Sequence, residues 1–283
     1  MQPDDYPPQE PFTEIGARYH DTVMRRVVDG HEVVHGGDPY QSLVVLAPGQ
    51  PNGDVLCVMH GGGWTNGYKE WMTFMAPALN AHGVILVSLG YRLAPAHVFP
   101  AGLVDCQDGV RWVYRSIAEF GGDPGRLHVG GHSAGGHYCS LLALGRDWQT
   151  PRDLPENVIK GALPVSGTYY FGADSGLARR PRFLGDNPSN ESAAGPINHV
   201  HDAAPPFLVA YGENDFPHLV RQAHEFTAAL GRSGVSVASI ELSGCDHLGA
   251  SYACGEPDGR WLAAALDFMH STRQNDRQEL IHT

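Results

Sequence analysis

Gly131-His132-Ser133-Ala134-Gly135 satisfies G-x-S-x-G, a spacing that can hold a serine hydroxyl at the tip of a sharp turn. An apolar run ends just before it near Val129, and a helical pattern begins near Ala134. Small residues on both sides let the chain turn there without a Cβ clash. A bare G-x-S-x-G is more often a packing turn, but its flanks and the motifs below favour a nucleophile. A serine is a poor nucleophile until a base takes its proton, so a histidine oriented by a carboxylate should follow. Both follow in order: Asp215 lies in Gly212-Glu213-Asn214-Asp215 after the run Pro206–Tyr211, and His247 in Ser243-Gly244-Cys245-Asp246-His247 after Ser236–Leu242. Glu213 competes with Asp215 for the carboxylate role from the same loop, with Asp215 preferred. Asp246, adjacent to His247, would need an awkward turn to reach its neighbour's ring and reads better as exposed or as a loop cap. Of 16 histidines, His247 is singled out by its place one loop after the last strand.

His60-Gly61-Gly62-Gly63-Trp64 closes another apolar run, Asp54–Met59. Consecutive glycines leave backbone N–H groups uncovered, as a developing oxyanion requires, and one such donor contributes about 2.7 to 4 kcal/mol of barrier lowering. Phosphate binding is the weaker reading, because no G-x-x-x-x-G-K-[ST] occurs. His60 reads as an architectural hydrogen bonder, and Trp64 as either pocket wall or core. His31-Glu32-Val33-Val34-His35 matches H-E-x-x-H, yet its β-branched centre between Asp29-Gly30 and Gly36-Gly37 predicts a strand. On a strand the two histidines stand about 13 Å apart, too far to share a zinc ion. No metal site is expected there or at the loose pair His199 and His201.

These loops need a scaffold. From residue 54 onward, short apolar runs alternate with segments of helical period: Asp54–Met59, Gly83–Leu89, Arg126–Val129, Gly161–Val165, Pro206–Tyr211 and Ser236–Leu242. This is the α/β pattern of a mostly parallel sheet covered by helices. Leu103, Cys106, Val110, Val113 and Ile117 recur in steps of three and four, predicting a helix near 101–119 stopped by Gly121-Gly122-Asp123-Pro124. Further helices are expected at Trp71–Ala81, Ala134–Leu144, Leu219–Leu230 and Gly259–His270. The runs Met24–Val28, Glu32–Val34 and Ser42–Leu46 predict a peripheral antiparallel meander over about 20–48. Residues 166–204 are too long for an ordinary connection and predict an inserted lid carrying Tyr169, Tyr170 and Phe171. The expected organisation is one domain over residues 1–283.

A formal charge of −12, from 31 Asp plus Glu against 19 Lys plus Arg, leaves no basic footprint for phosphate backbones, so no nucleic-acid partner is expected. With 42% hydrophobic residues the chain can bury a sizeable core. No apolar run is long enough to span a membrane, and Met1–Glu10 lacks the features of a signal peptide, so a cytoplasmic location is expected. Cys57, Cys106, Cys139, Cys245 and Cys254 are scattered and odd in number, which argues against a disulfide framework. The acidic surface is compatible with a monomer or a homodimer, and the polar tail Gln274–Thr283 is expected to fray.

His60-Gly61-Gly62-Gly63-Trp64, Tyr91-Arg92-Leu93-Ala94-Pro95, Phe99-Pro100-Ala101 and Gly131-His132-Ser133-Ala134-Gly135-Gly136-His137, taken as a set, resemble the α/β-hydrolase esterases related to hormone-sensitive lipase and kynurenine formamidase. The resemblance runs from about residue 54 to 270. It implies Ser133 as nucleophile, His247 as general base and acid, and Asp215 as its orienter. It further implies backbone N–H groups of Gly61, Gly62 and Ala134 as oxyanion donors, and no metal or organic cofactor. Hormone-sensitive-lipase relatives usually carry Asp where this chain has His132, and His132, His137 and the stretch from Gly212 to Gln222 are closer to the formamidases. Gly63, where formamidases often carry an aromatic, points the other way. A small or aromatic ester is the expected substrate, with a formamide as the alternative, and Trp64, His132, Tyr169 and Tyr170 as candidate contacts. A silent hydrolase fold serving as a small-molecule receptor is the alternative of another class; the complete Ser133, Asp215, His247 set argues against it.

Overall fold

Runs of Val, Leu and Ile bounded by Gly, Asn and Pro form the strands of a single sheet. The computed structural model describes residues 1, 3–175 and 182–282. Its strands are β1 (His31–Val34), β2 (Ser42–Leu46), β3 (Val55–Met59), β4 (Ile85–Leu89), β5 (Leu127–His132), β6 (Ile159–Val165), β7 (Phe207–Gly212) and β8 (Val237–Leu242). They lie in the order β1-β2-β4-β3-β5-β6-β7-β8. The β1–β2 and β2–β4 pairs are antiparallel and all others parallel, as the alternating runs predict. Helices α1 (Glu14–Met24), α2 (Ala76–Asn80), α3 (Ala101–Ser116), α4 (Ala134–Leu144), α5 (Ser189–Ala193), α6 (Pro217–Arg232), α7 (His247–Tyr252) and α8 (Arg260–His282) complete the described residues. Strands β2 to β5 and β7 are buried along their whole length, whereas β1 and β8 form the partly exposed edges.

The strand order reverses at β3. Chain direction runs from β3 to β4 on one side and then crosses to β5 on the other, and ligand sites in open α/β sheets form at such a switch point. Met59 at the end of β3 is in register with Gly131 in β5. The glycine-rich loop and the Ser133 turn therefore leave the sheet side by side.

Three expectations need correction. Met24–Val28 is not a strand: Met24 ends helix α1 (Glu14–Met24), and residues 25–28 leave it as a turn and irregular chain. Thr13 caps the helix by accepting from Gly16 N at 3.1 Å, and Ile15, Tyr19 and Val23 fall on one stripe whose Tyr19 packs edge-on against Trp71. Trp71–Ala81 is not one helix but a 3-10 turn, Lys69–Met75, followed by α2. Pro77 stands in the first turn of α2, where its missing N–H costs nothing, and could not stand further in. The last helix, expected to end at His270, runs on to His282 as α8. His247 stands one loop after β8, as the first residue of α7. Of the segment 166–204, residues 176–181 lie outside the described residues; the rest holds α5 and two short 3-10 turns, Ala173–Ser175 and Pro196–His199. All five cysteines are unbridged: Cys57, Cys106, Cys139 and Cys254 are buried, and Cys245 is half-buried.

Candidate active site

Ser133 occupies the turn between β5 and α4 with φ +55 and ψ −116, outside the regions an ordinary side chain favours. The surroundings enforce this. Ser133 N donates to Val165 O at 2.9 Å, and α4 presses so closely on β3 that a Cβ on Gly135 would stand 2.0 Å from Met59 O. Nothing but glycine fits there. On the β3 side, Gly62 has φ +103, and a Cβ on Gly61 would lie 3.3 Å from the Ser133 Cβ. The glycine loop thus flanks the hydroxyl, and the positive end of α4 points into the same space.

His247 Nε2 stands 3.1 Å from Ser133 Oγ, and its Nδ1 stands 2.8 Å from Asp215 Oδ1. Asp215 Oδ1 also accepts from Phe216 N at 2.7 Å. Burial alone would raise the Asp215 carboxyl, but the hydrogen bond and charge of His247 outweigh it and hold the carboxyl below its ordinary value. Glu213 is occupied elsewhere: its Oε2 accepts from Gly244 N at 2.7 Å, bracing the loop after β8. Asp246 caps α7 by accepting from Gly249 N at 2.7 Å.

His132 is a second histidine in the site. Its ring centroid lies 4.6 Å from that of His247, and its Nε2 donates to His247 O at 2.9 Å. A carbonyl only accepts, so Nε2 carries the proton. Burial, reinforced by the nearby His247, pushes His132 down to about 3, which keeps it neutral and avoids two adjacent imidazolium charges. His60 is likewise pushed down by burial, to about 4, and stacks on Tyr91 at 4.2 Å while its Nδ1 meets Gly61 O at 2.7 Å. It holds the glycine loop from behind.

A cavity of about 440 Å³ opens over Ser133 and His247. Gly61, Gly62, Trp64 and His132 line it, as do Thr13, Ile15, Gly16 and Tyr19 of the N-terminal segment, Trp71, Thr168, Arg182, Phe216 and Leu248. Tyr169 and Tyr170 do not, which corrects their assignment as substrate contacts. Their backbone N–H groups both donate to Gln222 Oε1 of α6, at 2.7 and 3.1 Å. Tyr169 then stacks on Phe226 at 4.2 Å in the core. Trp64 is both wall and core, since it borders the cavity while stacking on Phe183 at 4.3 Å and donating to His137 Nδ1 at 3.1 Å. The wall supplied by α1 was missed in the sequence, although Thr13 as cap and the step of four from Ile15 to Tyr19 to Val23 carried the signal. A second cavity of about 490 Å³ lies beside Leu142, Ile159 and Pro206, at the opposite ends of the strands, and contains none of these groups. Among the described residues no cluster of three His, Cys, Asp or Glu side chains is arranged to hold a metal, and His31 lies on a strand.

Comparison with known proteins agrees with fold and motifs. The family pattern described as BD-FAE matches residues 45–162. Esterase LipC of Mycobacterium tuberculosis is 31% identical over 310 residues, an alignment covering 99% of this chain and 75% of that protein. Esterase LipQ of the same organism is 33% identical over 218 residues, covering 71% of this chain but only 51% of LipQ. The solved structure of an esterase from Pyrobaculum calidifontis superposes with a TM-score of 0.72 at 21% identity, covering 93% of each chain. The chain belongs to the α/β-hydrolase carboxylesterases of the hormone-sensitive-lipase-like group. It is a carboxylic ester hydrolase, and among the described residues no helix is long and apolar enough to cross a membrane.

Proposed function

We propose that this chain hydrolyses small carboxylic esters, aryl and short-chain acyl esters foremost, by a double displacement on Ser133. His247 takes the hydroxyl proton as Ser133 attacks the acyl carbon, and Asp215 stabilises the imidazolium that results. The N–H groups of Gly61, Gly62 and Ala134 receive the oxyanion. His247 then returns its proton to the leaving alcohol, and a water molecule, deprotonated by the same ring, releases the acid from the acyl-enzyme.

The observation that carries this reading is the continuous chain of contacts from Ser133 Oγ through His247 to Asp215, at 3.1 and 2.8 Å, beside the glycine loop. A cavity of about 440 Å³ is near the lower end of ordinary ligand sites and suits a small substrate. Trp64, Trp71, Tyr19 and Phe216 around it favour an aromatic or short apolar group. We read α1 and the described residues of the segment 166–204 as two covers over the site, with Thr168 and Arg182 as the second cover's contacts.

The test is hydrolysis of short-chain p-nitrophenyl esters beside N-formylkynurenine by wild type and Ser133→Ala. Ester turnover that disappears in the variant is expected. Formamide turnover equal to or above ester turnover would overturn the ester preference, and ester turnover surviving in Ser133→Ala would overturn the nucleophile.

A further inference from the structure

Asp215 buries its side chain completely, yet only one of its oxygens is provided for. Oδ1 accepts from His247 Nδ1 and from Phe216 N, whereas no donor stands in hydrogen-bonding geometry to the buried Oδ2. A buried carboxylate oxygen without a donor is strongly unfavourable. A candidate donor is within reach of this carboxyl: Ser166, whose side chain acts on Asp215, is fully buried, and its Oγ is equally without a hydrogen-bond partner. A hydroxyl rotates freely and can donate.

The backbone delivers Ser166 to this place. It follows β6 directly, its N donates to Ala210 O of β7 at 2.8 Å, and the preceding Val165 O accepts from Ser133 N at 2.9 Å. Ser166 is therefore stitched between the strand end that carries the nucleophile and the one that leads to the acid. Its φ of +50 lies in the left-handed region that glycine adopts most easily. Such a conformation at a non-glycine residue persists only where its surroundings demand it. A glycine would satisfy the backbone; it would lack the hydroxyl.

We infer that Ser166 is a positioning residue of the triad, its hydroxyl donating to Asp215 Oδ2 and so turning Oδ1 toward His247 Nδ1. The inference rests on the Ser133, His247, Asp215 reading above. Ser166 is also among the groups that lower the Asp215 carboxyl, after the opposing effect of burial and the larger lowering by His247. The titratable groups that face Asp215 are His247 on α7, His132 at the end of β5 and Tyr169 beyond β6. Burial keeps His132 and Tyr169 neutral across the working range, so neither adds a charge beside Asp215.

The test compares wild type with Ser166→Gly, which eases the backbone, and Ser166→Ala, which keeps the Cβ. Readouts are ester kinetics against pH, the rate at which a fluorophosphonate labels Ser133, and the downfield proton resonance of His247 Nδ1–H. Both variants are expected to lose kcat and labelling rate by about tenfold with KM within about twofold, the signature of a contact that matters in the transition state. The acidic limb of the profile should move to higher pH, because a carboxylate deprived of a donor makes the Asp215 and His247 pair bind its proton more tightly. The Nδ1–H resonance should shift. Labelling rate, acidic limb and resonance all unchanged in a folded variant would overturn the inference while leaving the triad intact. Failure of wild-type protein to label would instead overturn the triad reading and this inference with it.

Discussion

Two parts of the site are built differently. Ser133, Asp215 and His247 each follow a strand of the parallel sheet within a few residues, so the ladder hydrogen bonds of β5, β7 and β8 locate them. The walls of the cavity come from α1, Trp71, Phe216 and Arg182, which side-chain packing brings together from distant parts of the chain. Chemistry here hangs from backbone, and selectivity hangs from packing. The two should respond differently to substitution, the first through kcat and the second through KM and chain-length preference.

The largest effect belongs to the strand-end groups. Ser133→Ala should lower kcat for p-nitrophenyl esters on the order of 10⁴ to 10⁶-fold with little change in melting temperature. Asp215→Asn should cost on the order of 10⁴-fold, since the amide would favour the wrong His247 tautomer, while Glu213→Gln on the same loop should stay within about twofold. Equal losses at Glu213 and Asp215 in steady-state kinetics would break the assignment of the acid.

Wall residues should act more gently. Ile15→Ala and Phe216→Ala, both at partly exposed positions, should raise KM for butyryl and longer acyl esters by roughly 2 to 10-fold and leave kcat for acetate nearly untouched. Tyr170→Ala, outside the cavity, should change neither by more than about twofold. A Tyr170 variant with the larger effect on acyl selectivity would reverse the comparison.

The smallest effect on turnover should come from His128, a buried histidine whose Nε2 pairs with Thr272 Oγ1 at 2.9 Å. Burial holds His60 near about 4 and His128, His132 and His137 near about 3, each below the ordinary imidazole value. The unfolded chain binds protons there that the folded chain refuses, so their contribution to stability is complete above about pH 6.5 and is lost as pH falls toward those lowered values. Melting temperature should therefore drop steeply below about pH 6.5. His128→Gln, which retains a polar partner for Thr272 far from Ser133, should flatten that slope without altering kcat. A slope unchanged in this variant would remove His128 from the account.

How much of this was legible in the sequence follows from the same division. The parallel strands announced themselves as apolar runs, and the triad as residues placed one loop after three of them. Helix α1 precedes the run Met24–Val28 and has no counterpart among the expected elements, although the cap at Thr13 and the stripe through Tyr19 are its local signal. Tyr169 and Tyr170 were misplaced for a different reason. Aromatic residues next to a strand end suit a pocket or a core equally well, and the partners that decide, Gln222 and Phe226, lie some fifty residues later in the chain.

By itself the sequence determined the sheet, the order of the triad and the glycine loop, because each depends on residue types within one short window. Tertiary structure alone decided that Asp215 and not Glu213 meets His247, that His132 stays neutral against it, that α1 walls the cavity and that Ser166 faces the acid. Those outcomes turn on distances between segments far apart in the chain, and burial sets which charges and hydrogen bonds survive there.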